Sequence, residues 1–254
     1  RGTFPPASDV RIPQHCNGTD CRGVHLSILI LPYIEQQQLY DRFVSMGGFT
    51  TVWANPSGWP PAGVTIPTYR CPSETKFTAE TARIDYFGVM GGGDPLQPSP
   101  RSPRSGDIFN NGLFIEGRPM KPAEVTDGVS KTLAIGEGSP SHPGYSGGSA
   151  EQVIRWSWGG SAYLSSCLPP PSGCDAWLTR GFRSTKQPIN SKDPRVIPPF
   201  SASTLVSEIP FGSNHPGGAG FVFADGHAAV LSDTIDIRVY RGLSTRAGGE
   251  AVSE

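Results

Sequence analysis

Two short apolar runs, AGFVFA at residues 219–224 and HAAVL at 227–231, stand on either side of Asp225-Gly226. Asp-Gly between apolar strands favours a two-residue hairpin loop, because both central residues of a type I′ turn must accept positive φ. The segment therefore predicts an antiparallel hairpin with a tight turn. The composition points the same way. With 32 glycines and 26 prolines in 254 residues, the chain cannot be mostly helical, since both residue types disfavour helix interiors. Aromatic residues still make up 9 %, enough for a packed core and against global disorder.

The expected class is α+β, with a mostly antiparallel sheet, one main helix, a short C-terminal helix and long loops. The main helix signal lies in residues 26–45, where Leu29, Ile30, Tyr33, Ile34, Leu39, Tyr40 and Phe43 recur at helical spacing. Pro32 is tolerated only in a first turn, so the helix is expected to start there and to stop at Gly47-Gly48. Strands are expected at 84–90, 112–116, 132–137 and 153–158. Thr126-Asp127-Gly128 reads as a turn. After the hairpin, Ser232 or Asp233 is positioned to cap a helix carrying Ile237, Tyr240 and Leu243, and Gly248-Gly249 to end it. The whole chain, 1–254, reads as one domain with Pro-rich insertions at about 95–106 and 165–200.

Several function classes drop out. A net charge of −1 supplies no broad basic field for nucleic acid. No apolar run reaches the roughly 18 residues that cross a bilayer. G-x-G-x-x-G, Walker, H-E-x-x-H and C-x-x-C-H motifs are all missing from the sequence. Gly144-Tyr145-Ser146-Gly147-Gly148 fits G-x-S-x-G, but that elbow needs a strand before it. Ser139-Pro140-Ser141-His142-Pro143 is not strand-like, so a serine hydrolase ranks last and no catalytic residue is assigned. The cysteine pairs Cys16/Cys21 and Cys167/Cys174 lie in Gly-, Pro- and Ser-rich segments. They are candidates for two local disulfides in an exported protein, with Cys71 left over. Trp156 and Trp158 fall on one face of an expected strand and are candidates for glycan contact. The basic residues Arg180, Arg183, Lys186, Lys192 and Arg195 read as a solvated loop surface.

His215 is followed by nine residues and then Asp225-Gly226. Other segments stand in order before it: Gly2-Thr3-Phe4-Pro5-Pro6, Ile30-Leu31-Pro32-Tyr33-Ile34-Glu35-Gln36, Cys71-Pro72-Ser73, Tyr86-Phe87-Gly88-Val89, Asn111-Gly112-Leu113-Phe114, Thr126-Asp127-Gly128 and Gly136-Glu137. Together they resemble the bacterial prepilin-type processing-associated H-x(9)-D-G proteins, a domain of unknown function that also carries a solute-binding family-ten label. The resemblance spans nearly the whole chain. It makes His215, Asp225, Gly226, Asp127, Gly128 and Glu137 signature positions, for which a structural role in turns is the expectation. His215 is expected to pin its loop to backbone or to a turn carboxylate.

The resemblance also implies a biology. Such proteins begin with a leader and a hydrophobic helix that anchors an inner-membrane precursor, and the soluble headgroup follows. This chain would be a headgroup displayed outside the cytoplasm, in the periplasm or at the cell surface, without that helix. It would touch the membrane only through the missing helix. Family members often carry a cysteine near the end of that helix, which makes it a candidate partner for Cys71. Self-assembly with pilin-like subunits is the expected partnership, and the expected role is a structural filament or surface subunit rather than an enzyme. An extracellular carbohydrate- or solute-binding module, with cell-surface polysaccharide as the candidate ligand, is the alternative. Because some pseudopilins hold calcium in a C-terminal loop, Asp225, Asp127, Glu137 and Asp233 form a candidate calcium set, although no EF-hand-like loop is present.

Overall fold

The computed structural model describes residues 2–9, 24–46, 64–74, 83–92, 109–115, 118–138, 181–192 and 209–249. The chain opens with a two-stranded antiparallel pair, β1 (Ser8–Asp9) and β2 (Val24–His25). Two helices follow, α1 (Leu26–Leu29) and α2 (Gln37–Ser45). A five-stranded sheet comes next, built from β3 (Tyr86–Val89), β4 (Leu133–Glu137), β5 (Phe182–Arg183), β6 (Gly218–Phe223) and β7 (Ala228–Ser232). Helix α3 (Ile237–Gly242) follows the last strand. The strand order is β5-β3-β4-β6-β7, antiparallel throughout except for the parallel β3–β5 pair. The class is α+β.

Each face of the sheet carries its own apolar cluster. Alternation along β3 sends Phe87 and Val89 into one cluster and Met90 into the other. The first cluster joins them to Phe221 and Phe223 of β6, to Ile28 and Phe43 of the N-terminal helices, and to Tyr240 of α3. Phe211, Phe221 and Tyr240 meet edge-on, at centroid distances of 5.2 and 5.9 Å. The second cluster is supplied largely by the stretch around Phe109, Leu113, Phe114, Met120 and Val125, against Phe182 and Ala134.

One main helix forms, as expected, but it starts at Gln37 and not at Pro32. Residues 31–33 form a single 3-10 turn with Pro32 in its first positions, Glu35 takes a positive φ of 61°, and the regular helix starts only at Gln37. A proline without an N–H, followed by a left-handed residue, interrupts the helical ladder. Tyr33 consequently points outward, 80 % exposed, instead of lining the core.

The hairpin forms with β6 and β7 in register from Gly218↔Ser232 to Val222↔Ala228. Its turn differs from expectation. Gly226 N–H donates to Phe223 O, Phe223 N–H donates to His227 O, and of the two central residues only Gly226 has positive φ, at 93°. That is a three-residue loop, a type I turn closed by a left-handed glycine, and Asp225 keeps ordinary φ. Helix α3 is capped by Asp236, whose carboxylate accepts the N–H groups of Arg238 and Val239, and not by Ser232 or Asp233. It ends at Gly242, well before Gly248-Gly249.

The insertion expected at 165–200 contributes to the sheet. Its residues 182–183 form β5 on the edge of β3, with Gly88 N–H donating to Gly181 O. Arg183, read from sequence as a solvated basic residue, is fully buried with its guanidinium 4.0 Å over the Phe87 ring. A planar cation on an aromatic face explains how such a group enters a core. The expected strand at 112–116 is reduced to an isolated bridge between Ile115 and Arg118. The expected strand 153–158, with Trp156 and Trp158, the Ser146 elbow, the loop 95–106 and the cysteines Cys16, Cys21, Cys167 and Cys174 lie outside the described residues. Among the described residues there is no disulfide, and Cys71 is a buried free thiol.

Candidate functional site

Four stretches of chain far apart in sequence meet at the end of β4. Glu137 is the last residue of that strand and pairs across the ladder with Tyr86, the first residue of β3. Before β3, the turn Cys71-Pro72-Ser73 is pinned beneath the strand, because the Asp85 carboxylate accepts the Cys71 backbone N–H at 2.8 Å. Asp85 is itself buried in an ion pair with Arg83 at 2.7 Å. On the other side, the loop entering β6 carries Ser213, Asn214 and His215. Asn214 Nδ2 donates to Ser73 O and to Glu74 Oε2, each at 3.3 Å, so this loop is tied to the 71–74 turn.

The result places three different donor types together. Cys71 Sγ lies 3.6 Å from His215 Nε2. The Ser73 hydroxyl lies between them, 3.0 Å from the sulfur and 3.3 Å from the same nitrogen. One atom each from Cys71, Glu137 and His215 falls within 4.8 Å of the others, and among the described residues this is the one group of its kind. Cys71 and Glu137 are buried while His215 is exposed, so the group opens to solvent on the imidazole side.

Burial pushes the Cys71 thiol above its ordinary range; the Ser73 hydroxyl works against this and Glu137 adds to it. The neighbouring Tyr86 hydroxyl is pushed up to about 12, by burial first and then by Cys71 and Glu137. A nucleophilic cysteine needs a lowered pKa to supply thiolate. The shift here has the opposite sign, the direction that burial imposes on a thiol.

The Glu137 carboxylate is held by neutral donors. Its Oε1 accepts the Ser213 hydroxyl at 2.7 Å and its Oε2 accepts the Gly220 N–H at 3.1 Å. Ser213 Oγ in turn accepts the His215 backbone N–H at 3.0 Å, so one hydroxyl positions both residues. A Cβ at Gly220 would sit 3.5 Å from Glu137 Oε2, an ordinary contact that leaves the approach open.

The remaining signature residues serve elsewhere. Asp225 is exposed in the hairpin turn, with His227 Nδ1 at 2.6 Å and the His227 N–H at 3.1 Å, which lowers its pKa. It makes no contact with His215, whose partners are the sulfur and hydroxyl of the 71–73 turn. Asp127 accepts the N–H groups of Gly248 and Gly249 and the Thr245 hydroxyl, fastening the C-terminal segment beside the turn at Gly128. Gly128 there has a φ of 98°, which explains glycine at that place. Asp233 receives Asn190 Nδ2 at 3.4 Å. Among the described residues the carboxylates of Asp127, Glu137, Asp225 and Asp233 thus stand in four separate settings and share no cation site. Cys71 is the member that sequence reasoning set aside as an unpaired thiol; its signal was the Cys71-Pro72-Ser73 motif.

A family model with the description "Protein of unknown function (DUF1559)", short label SBP_bac_10, matches residues 2–238. No curated protein matches the chain significantly, and neither does any solved structure. No helix among the described residues is long and apolar enough to cross a membrane.

Proposed function

Because the chain belongs to the DUF1559 family of proteins of unknown function, we propose that it is the headgroup of a pilin-like surface protein and acts as a structural subunit rather than an enzyme. The observation that carries this reading is the order of the fold. Helical segments from the N-terminal side, through Ile28, Leu31 and Phe43, lie on a mostly antiparallel sheet that ends in the β6–β7 hairpin. A helix entering from the N-terminal side and packing on such a sheet is the arrangement by which a stalk would present a head. The ordered run of motifs that resembles the prepilin-type H-x(9)-D-G proteins adds to it.

The test is localisation of the native protein. Antibody to this chain, applied to intact producing cells and to sheared surface fractions, is expected to label high-mass assemblies outside the cytoplasm. Recovery of the protein solely as a cytosolic monomer overturns the reading. Recovery as an exported monomer that retains a solute favours a binding module instead.

A further inference from the structure

We propose that Cys71, Glu137 and His215 form a binding site for a single zinc ion. The argument begins with the donors. A sulfur, an imidazole nitrogen and a carboxylate oxygen lie within 4.8 Å of one another. Calcium and magnesium take oxygen ligands, whereas thiolate and imidazole select zinc and its neighbours among the transition metals. Three protein ligands with one open position is a recurrent zinc arrangement. Small side-chain movements suffice to close three donors at these separations onto one ion.

The surroundings are those of a supported site. Ligands are held by outer hydrogen bonds in metal centres; here the Glu137 carboxylate has two, and backbone bonds fix the chain at Cys71 and His215. Ser213 Oγ bonds both Glu137 Oε1, at 2.7 Å, and the His215 N–H, at 3.0 Å. Gly220 N–H holds the second Glu137 oxygen at 3.1 Å. The Cys71 N–H is fixed by Asp85 at 2.8 Å. The charge of Glu137 also suits a cation. Glu137 is a buried carboxylate, and among the described residues no lysine or arginine pairs with it. An ion at this place offsets that charge and the thiolate it creates. The open position faces the exposed His215 side, where the Ser73 hydroxyl, 3.0 Å from the sulfur, is placed to bond a fourth ligand such as water.

Four segments converge here: 71–73, the start of β3, the end of β4 and the loop at 213–215. Each contains a motif on which the family resemblance was built, which gives those motifs a common physical purpose. The inference does not depend on filament assembly, since an isolated headgroup would bind the ion equally well.

The experiment is titration of the reduced, chelator-stripped chain with zinc by calorimetry, repeated with cobalt(II) as a visible probe. One equivalent is expected, with a thiolate-to-cobalt charge-transfer band and the intense visible bands of a four-coordinate ion. His215→Ala, at an exposed residue, should leave the thermal unfolding transition of the metal-free chain in place. It should weaken zinc by more than the ~10–100-fold that an outer-shell change gives. Cys71→Ser should abolish the charge-transfer band, and His227→Ala should bind like the parent. Absence of stoichiometric binding to the reduced chain, or unchanged affinity in His215→Ala, overturns the proposal.

Discussion

Cys71 Sγ and His215 Nε2 lie 3.6 Å apart across 144 residues of sequence. The contact closes the loop that enters the hairpin onto the turn that precedes the sheet. Its geometry is set one residue pair away, where the Ser213 hydroxyl bonds both the His215 N–H and the Glu137 carboxylate. Ser213→Ala leaves a buried carboxylate short of a donor. The expected cost is about 1.5–3 kcal/mol, the range for hydrogen bonds to charged groups, read by urea unfolding of the metal-free chain. Ser213→Thr, which keeps the hydroxyl, should recover most of it.

A second prediction concerns the ion pair under the site. Arg83 and Asp85 are both fully buried, with Nε 2.7 Å from Oδ1 and the terminal guanidinium nitrogen 3.0 Å from Oδ2. Removing one partner of such a pair leaves the other charge buried, so Asp85→Ala should cost about 3–5 kcal/mol. Guanidinium denaturation at neutral pH measures this. A cost below about 1 kcal/mol contradicts it.

The same carboxyl carries a pH dependence. Burial pushes Asp85 from 3.8 up to about 6, with its bonds to the Cys71 N–H and Arg83 pulling the other way. Between those two values the folded chain holds a proton that the unfolded chain has released. Stability contributed by this group is therefore greatest below the lower value and declines as pH rises through the interval, then levels off. The difference between the parent and Asp85→Asn unfolding curves from pH 4 to 7 isolates it. A difference that is flat in pH counts against the assignment.

Glycine positions separate strain from crowding. At Gly226 φ is 93° and an added Cβ meets nothing within 4 Å, so Gly226→Ala should cost only backbone strain, about 1–2 kcal/mol. At Gly218 the Cβ would come 2.1 Å from the Leu231 carbonyl oxygen, which belongs to the facing strand. Gly218→Ala should therefore be the more damaging of the two in thermal unfolding, and the reverse order contradicts the hairpin register. Gly88→Ala drives a Cβ to 2.2 Å from the Phe182 ring and should cost about 1–3 kcal/mol through overpacking. Phe182→Leu should relieve part of that cost in the double variant.

What the amino-acid sequence made legible was local. The hairpin could be read because Asp225-Gly226 and its apolar flanks are adjacent, although the turn type could not. Asp225 keeps a negative φ, and one left-handed glycine closes the loop. The break after Pro32 was half visible, since a proline marks an interruption without saying that the helix restarts at Gln37. Strand β5 was hidden. Two residues inside a Pro-rich stretch have no period, and it is the β3 edge that makes them a strand. The site was legible in its parts and not in its assembly. Glu137 and His215 stood out as motif residues, but nothing in spacing brings them to Cys71, because the link is tertiary. Glu137 was grouped with other turn carboxylates by charge, whereas the sheet places it beside a thiol.

The central claim is that one ion joins Cys71, Glu137 and His215, and zinc-edge X-ray absorption of the full chain loaded with one equivalent tests it most directly. The account predicts one sulfur scatterer at about 2.3 Å together with nitrogen and oxygen neighbours near 2.0–2.2 Å, with the sulfur lost in Cys71→Ser. A spectrum with oxygen and nitrogen alone in the parent chain would contradict it.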